Sequence, residues 1–281
     1  MRKINVSEII PVVKKLCIDA NLYVNKDIAE KIKESLDQET SPTARNILKL
    51  ILKNHEMAEQ EKMPLCQDTG IPIIFLEIGQ DLHLSGGDLN AAINEGVRQG
   101  YKEGYLRKSL VDDPVLNRKN TGDNTPAIIY TDIVPGEQLR ITIMPKGGGA
   151  ENMSEVKMMK PADGIEGVKN FIVERIIRSG GNPCPPVIVG VGIGGSFEQS
   201  ALLAKKALLR PLNKNNPDPV YAKVESDILR RINRSGVGPQ GLGGRTTALA
   251  VQILQRPCHI ASMPVAVNVE CHCHRHKSVL I

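Results

Sequence analysis

The chain has 281 residues, a formal net charge of +5 and few aromatic residues, with no tryptophan and three phenylalanines. Basic residues are interleaved with acidic ones rather than grouped, so the sequence disfavours a nucleic-acid-binding protein. No apolar run reaches the roughly 18 residues that span a membrane, and the N-terminus lacks a secretory apolar core, so we expect a cytoplasmic protein with no membrane contact.

The N-terminal region predicts helices. Apolar residues at helical spacing indicate two amphipathic helices within residues 4–37, and Asn25 is a suitable N-cap for the second. A third helix is predicted to begin at Ser41 and Pro42, because proline fits the first turn of a helix. We interpret these helices as scaffold.

The next region predicts strands around a glycine-rich connection. Residues 71–78 form an apolar strand, and Asp88 caps the helix that follows it. Ala127–Val134 and Leu139–Met144 are separated by a short turn and predict a β-hairpin. The second of these strands runs into Gly147–Gly149, where backbone N–H groups and the positive end of a following helix favour anion binding.

A glycine-rich strand beginning at Val187 follows a helix at 165–178. Gly190, Gly192 and Gly195 fit the G-x-G-x-x-G fingerprint of dinucleotide-binding proteins. That fingerprint needs an acidic residue at the end of a second strand about 20 residues later, and no such strand is predicted there. The sequence therefore disfavours a nicotinamide or flavin site.

The remaining predicted elements complete a mixed α/β pattern. They are helices at 197–209 and 219–234, a glycine-rich loop at 238–247, an apolar stretch at 248–254, a strand at 259–269 and a Cys-His-Cys-His-Arg-His tract. We find no linker and no internal repeat. The simplest fold is a single α/β domain over residues 1–281, with a mixed β-sheet surrounded by helices.

Six cysteines are placed too irregularly for a disulfide framework. Three positions lie beside apolar strands: Cys66, Cys184 and one of the pair Cys271 and Cys273. Cys17 lies in a helix and Cys258 in a predicted turn, and we interpret both as buried thiols. If the terminal tract is extended, its cysteines and histidines face opposite sides, which disfavours a compact mononuclear site from the tract alone.

Three thiolates from distant segments suit a zinc site or an iron–sulfur cluster. The paired cysteine knuckles of structural zinc sites are absent from the sequence. A [4Fe–4S] cluster normally takes four thiolates, so three would leave one iron open. An open iron can act as a Lewis acid on hydroxyl and carboxylate oxygens, which is the chemistry of a hydro-lyase.

Five motifs carry a family resemblance over essentially the whole chain. They are Pro64–Gly70, Lys146–Asn152, Pro183–Gly195, Gly238–Ala248 and Pro264–Cys271. In these motifs the chain resembles the class I, iron–sulfur-dependent fumarate hydratases. More narrowly, it resembles the α subunit of their two-subunit forms, with tartrate dehydratase α subunits as close relatives.

The resemblance implies a fold like the N-terminal cluster-binding domain of that family, and a set of site residues. It implies that Cys66, Cys184 and Cys271 hold a [4Fe–4S] cluster, and so it selects Cys271 over Cys273. It further implies that Gln67 and Asp68 contact the substrate and act in catalysis. Asp68 would either orient a substrate oxygen or transfer a proton. Arg107 would pair with a substrate carboxylate, and backbone N–H groups at Gly148 and Gly149 would contribute.

The resemblance also implies a partner. One-chain members continue into a second domain with further substrate and acid/base residues, and this sequence ends at Ile281. We therefore expect a β subunit that completes the site, in an α₂β₂ assembly. The expected reaction is the reversible hydration of fumarate to (S)-malate. The alternatives are the α subunit of L(+)-tartrate dehydratase and a non-catalytic iron–sulfur or zinc-binding subunit.

Overall fold

The structure is a computed structural model that describes residues 2–281. Helices and strands are mixed along the chain, which confirms the predicted α/β class. The α-helices are α1 (Ile9–Leu22), α2 (Lys26–Gln38), α3 (Pro42–Glu61), α4 (Leu89–Glu103), α5 (Gly148–Glu151), α6 (Gly164–Ser179), α7 (Phe197–Ala207) and α8 (Pro219–Asn233). The strands are β1 (Arg2–Asn5), β2 (Ile71–Gly79), β3 (Leu82–Ser85), β4 (Ile128–Val134), β5 (Leu139–Lys146), β6 (Glu155–Met159), β7 (Val187–Gly195), β8 (Ala248–Cys258), β9 (Met263–Glu270) and β10 (Lys277–Leu280). Among the described residues, no helix is both long and apolar enough to cross a bilayer.

The chain folds into two compact units. The first unit contains the segments up to Val24, His55–Gly148 and Arg275–Ile281, and the second contains Asn25–Asn54 and Gly149–His274. Each unit is assembled from segments that are far apart in the sequence, so no single linker marks a boundary. The single domain over residues 1–281 stays a prediction.

The main sheet of the first unit has the strand order β10-β5-β2-β4. β2 pairs antiparallel with β5 and parallel with β4, so the predicted hairpin of β4 and β5 is wrong. The reason is that β2 is buried along most of its length and takes the central position, while the more exposed β4 takes the edge. A second difference lies near the N-terminus. The sequence predicts a helix from residue 4, but residues 2–5 form β1, which pairs with β3.

Helices α1 and α4 pack closely in the core of the first unit. A Cβ atom added at Gly100 of α4 would lie 2.7 Å from the Cβ of Cys17 in α1, so only glycine permits this approach. Cys17 is fully buried, as predicted, and burial raises the pKa of its thiol. Cys17 is therefore a packing residue.

The sheet of the second unit has the strand order β6-β9-β7-β8, and the sequence analysis missed β6. Valines of β7 face a core that includes α6 and α8. The alternating glycines face α7 instead. A Cβ atom at Gly190 would lie 2.1 Å from the carbonyl oxygen of Ala204, and one at Gly192 would lie 2.0 Å from that of Ser200. These glycines serve close helix-on-strand packing, which accounts for the fingerprint without a dinucleotide.

Three segments converge at one edge of this second sheet. β7 pairs parallel with β8 and antiparallel with β9, with Val187 opposite Ala248 and Ile188 opposite Glu270. The segments before β7, before β8 and after β9 therefore meet at the same edge. They contain Cys184, the glycine-rich loop at 238–247 and Cys271 respectively.

Candidate active site

In the first unit, residues 66–70 form a turn before β2, here called the Cys66 turn. Asp68 shapes it, because its Oδ1 accepts the Gly70 N–H at 3.0 Å. The Cys66 thiol lies 3.6 Å from Oε1 of Gln67, to which it donates. Cys66 and Asp68 are half-buried and Gln67 is exposed, so the turn presents a thiol, an amide and a carboxylate together.

Buried side chains from later in the chain hold the backbone of this turn. The Tyr101 hydroxyl lies 2.9 Å from the carbonyl oxygens of both Thr69 and Gly70, which share its one proton. Asn124 Nδ2 donates to the same Gly70 oxygen at 3.0 Å. Burial raises the pKa of the Tyr101 phenol, which therefore keeps the proton that it donates.

Arg107 has its backbone fixed beside the Cys66 turn. The Thr69 hydroxyl donates to the carbonyl oxygen of Arg107 at 2.9 Å. The Arg107 side chain is exposed. The structure therefore brings the segment carrying this predicted substrate residue to the turn, within the first unit.

The glycine stretch differs from the sequence interpretation. The helix expected after it is only the single turn α5, followed by β6, so no helix of useful length directs its positive end there. The Gly148 N–H donates to Oδ2 of Asp68 at 2.7 Å, so it already has an acceptor. Gly149 belongs to the second unit, where a Cβ atom would lie 3.4 Å from the Asn182 carbonyl oxygen.

In the second unit, residues 181–186 form what we call the Cys184 segment. Cys184 is exposed and has a φ of +53°, in the left-handed region that non-glycine residues disfavour by about 1–2 kcal/mol. Its N–H donates to the Gly181 carbonyl oxygen at 3.0 Å. The Pro185 carbonyl oxygen accepts both the backbone N–H of Gln240 at 2.8 Å and its side-chain amide at 3.0 Å. Such strain persists where the surroundings fix it, and it concentrates at functional sites.

Cys271 lies next to the Cys184 segment. It follows β9 directly and is half-buried, and the N–H of its neighbour His272 donates to the Cys184 carbonyl oxygen at 3.4 Å. The terminal tract is not an extended strand at this point, and Cys273 is buried. The second unit thus brings two of the three predicted ligands together at one sheet edge.

The prediction that Cys258 is a buried thiol is wrong. Cys258 is exposed, because it stands at the end of β8, opposite Gly195 at the far edge of the sheet from Cys184. Its thiol donates to the Ser262 carbonyl oxygen at 3.2 Å. The turn that the sequence predicts around Cys258 begins after this residue.

A carboxylate that the sequence analysis missed holds the glycine-rich loop at that sheet edge. Oε2 of Glu39 accepts the N–H groups of Arg245 at 2.7 Å and Thr246 at 3.3 Å, and Oε1 accepts those of Thr40 and Ser41. Burial acts to raise the pKa of Glu39, but these four N–H groups together hold it below its ordinary value. Glu39 and Arg245 are 206 residues apart, so no local pattern could have revealed the pair.

Burial separates the cysteines into two groups. Cys17 and Cys273 are buried, whereas Cys184 and Cys258 are exposed and Cys66 and Cys271 are half-buried, so each of the three predicted ligands has a thiol that is at least partly accessible. Soft thiolates from separate segments are the ligands that iron–sulfur clusters use.

The chain is similar to known proteins over most of its length. A sequence profile described as fumarate hydratase (Fumerase) matches residues 10–280. The putative L(+)-tartrate dehydratase subunit alpha of Methanocaldococcus jannaschii is 42% identical over 268 residues, which cover 94% of each chain. The L(+)-tartrate dehydratase subunits alpha of Escherichia coli O157:H7 and strain K12 are 36% and 34% identical, over 91% of this chain and 84% of theirs. The resemblance is confirmed, and the chain belongs to the fumarate hydratase (Fumerase) family.

Proposed function

We propose that the chain is the α subunit of an iron–sulfur hydro-lyase and that Cys66, Cys184 and Cys271 hold its [4Fe–4S] cluster. The observation that carries this proposal is that the strained, exposed Cys184 and the half-buried Cys271 belong to neighbouring segments at one sheet edge, where the His272 N–H donates to the Cys184 carbonyl oxygen. Bound by three thiolates, the cluster would supply one open iron as a Lewis acid for water, hydroxyl and carboxylate oxygens.

Asp68 is the proposed acid/base or orienting group of this chain. Each of its carboxylate oxygens accepts one backbone N–H, from Gly70 and from Gly148. A carboxylate oxygen has two lone pairs, so each oxygen keeps one for a substrate hydroxyl or a proton. The two bonds also fix the direction of the carboxylate, which suits either role. Gln67, exposed beside it, offers a neutral donor and acceptor to the substrate.

Arg107 is the proposed carboxylate-binding group. Its exposed guanidinium can pair with a substrate carboxylate through two parallel hydrogen bonds, while Thr69 holds its backbone beside the Cys66 turn. A dicarboxylate has a second charged end. We propose that cationic groups of a β subunit bind that end, in an α₂β₂ assembly in the cytoplasm.

The proposed reaction is the reversible hydration of fumarate to (S)-malate. Dehydration of L(+)-tartrate is the second candidate, because the compared relatives are named as subunits of that enzyme. (S)-Malate and L(+)-tartrate differ by one hydroxyl group, so enzymes for these two substrates need to differ at few side chains. A non-catalytic iron–sulfur or zinc-binding subunit is the third candidate.

The test is an anaerobic co-purification with the β subunit, followed by assays with malate, fumarate and L(+)-tartrate. We expect kcat/KM to be highest for malate and fumarate, and a complex with two copies of each subunit by light scattering. A higher kcat/KM for L(+)-tartrate would assign the second candidate. An iron-loaded complex that turns over none of the three would assign the non-catalytic role.

The Cys66→Ser variant tests the ligand set within the same experiment. Loss of one thiolate should lower iron content and turnover together, and full retention of both would contradict the proposal. Cys258→Ser is the matched control, because Cys258 is exposed but lies at the far edge of the second sheet.

A further inference from the structure

Arg275 places a buried positive charge against the Cys66 turn. Its residue is 2% exposed. Its Nη1 donates to the carbonyl oxygen of Asp68 at 2.8 Å and to Oδ1 of Asn21 at 3.0 Å. Hydrogen bonds from an ionised donor are about twice as strong as neutral ones, so this contact is well suited to fixing a backbone.

Asn21 binds the backbone at Leu65, the residue just before the same turn. Its backbone carbonyl oxygen accepts the N–H of Leu65 at 2.8 Å, and its side-chain amide donates to the Cys17 carbonyl oxygen at 2.9 Å. Asn21 is fully buried in the last turn of α1. The chain is therefore held at Leu65 and at Asp68 by one connected pair, Asn21 and Arg275, and only two residues lie between those points.

Gly147 lies next to both the Asp68 carboxylate and the Arg275 guanidinium. A Cβ atom at Gly147 would lie 3.3 Å from Oδ2 of Asp68 and 3.6 Å from Nη2 of Arg275. Glycine at this position leaves room for both charged groups. Burying a guanidinium is costly unless its donors are satisfied, and here the oxygens of Asp68 and Asn21 accept from Nη1.

We propose that Arg275 is a positioning residue that, with Asn21, fixes the Cys66 turn before any cluster or substrate is present. Its guanidinium sets the backbone at Asp68, and through it the directions of Cys66, Gln67 and the Asp68 carboxylate. The consequence for turnover rests on the proposed function. The positioning of the turn in the iron-free chain is independent of the proposed function.

Amide hydrogen exchange of the full-length, iron-free chain tests the positioning directly. In Arg275→Gln, exchange at residues 66–70 should be about tenfold faster, the factor that corresponds to losing one hydrogen bond to a charged group. Arg275→Lys keeps the charge but not the planar fork, so its exchange should lie between those of Arg275→Gln and the wild type.

Arg210→Gln is the matched control, because it removes a largely buried arginine that pairs with Glu225 in the second unit. Exchange at residues 66–70 should stay at the wild-type rate in this variant. If Arg275→Gln exchanges like the wild type at 66–70, or equally faster everywhere, the proposal is overturned. Should Arg275→Gln fail to fold, Arg275→Lys against Arg210→Lys decides by the same criteria.

Steady-state kinetics of the complex with the β subunit are the second test of the role of Arg275. Normalised to iron content, Arg275→Gln should show a raised KM and a lowered kcat for malate or L(+)-tartrate, with partial rescue in Arg275→Lys. Unchanged constants per cluster would overturn the proposal. If every complex, including wild type, is inactive while exchange at 66–70 responds as expected, the proposed function fails and the positioning role stands.

Discussion

The Cys66 turn in the first unit and the Cys184 segment in the second each present an accessible cysteine, but different forces hold them. Side chains hold the Cys66 turn: buried Tyr101, Asn124 and Arg275 donate to its carbonyl oxygens. The Cys184 segment depends on its backbone, with Cys184 in a left-handed conformation between prolines.

Close contact between glycines supports the Cys184 segment. A Cβ atom at Gly241 would lie 2.6 Å from the Cα of Gly181. The Cys66 turn and the Cys184 segment should therefore be destabilised by different kinds of substitution. Loss of a polar group should loosen the Cys66 turn, whereas added volume should disrupt the Cys184 segment.

Gly241→Ala should have the largest effect. Its φ of +74° and the contact with the Gly181 backbone leave no flexible atom to yield, so we expect a loss of about 2–5 kcal/mol in the free energy of unfolding. Urea denaturation measures it. Gly243→Ala is the control: its φ of +87° is also positive but no atom lies within 4 Å, so only about 1–2 kcal/mol should be lost. Equal losses in the two variants would contradict the role of close packing.

Glu39→Gln should have the next largest effect, and it sharpens the comparison because here a side chain supports the second unit. A glutamine has one acceptor oxygen to offer the four N–H groups, so we expect a loss of about 1.5–3 kcal/mol at pH 7. Because the folded pKa of Glu39 is lowered, its contribution is present above the unfolded value of about 4.3 and is lost as the pH falls through the folded value.

The pH dependence gives the check on Glu39. Urea midpoints of the wild type and Glu39→Gln should differ most near neutral pH and converge as the solution is acidified below about pH 4. Glu34→Gln is the control, because Glu34 is exposed and pairs with Lys31 at the surface. A difference between wild type and Glu39→Gln that stays constant with pH would show that the charge of Glu39 is not what holds the loop.

Tyr101→Phe should have the smallest effect. It removes the hydroxyl shared by the carbonyl oxygens of Thr69 and Gly70, and Asn124 still donates to the second of them. We expect a loss of about 1 kcal/mol, with faster amide exchange confined to the Cys66 turn. Tyr105→Phe is the control, because Tyr105 is 91% exposed. Faster exchange in the Cys184 segment instead would break the distinction between the two regions.

Local chemistry accounts for the parts of the structure that the sequence predicted. Asp88 caps α4 by accepting the Ala91 N–H, and Gly180, with a positive φ, ends α6 as expected. Cap residues act within one turn, so sequence neighbours suffice to recognise them. Position next to apolar strands indicated Cys184 and one of the pair Cys271 and Cys273, and only the family resemblance selected Cys271. The register of β7 and β9 brings those strand ends together.

Long-range pairing accounts for what the sequence did not predict. The assumed hairpin is wrong because the more buried β2 inserts between β4 and β5, and strand alternation alone does not reveal partners. Glu39 and Arg275 were missed because each meets its partners across some 200 residues. A histidine-rich tract drew attention to metal ligation, whereas the arginine within it supports the Cys66 turn.

Iron and sulfide counting on anaerobically reconstituted protein and its cysteine variants tests the central claim most directly. We expect roughly four irons per chain, one of them lost on mild oxidation, and loss of the cluster in Cys66→Ser, Cys184→Ser and Cys271→Ser. Cys17→Ser, Cys258→Ser and Cys273→Ser should keep it. A wild-type chain without iron, or a cluster that needs Cys273 as a fourth thiolate, would contradict the account.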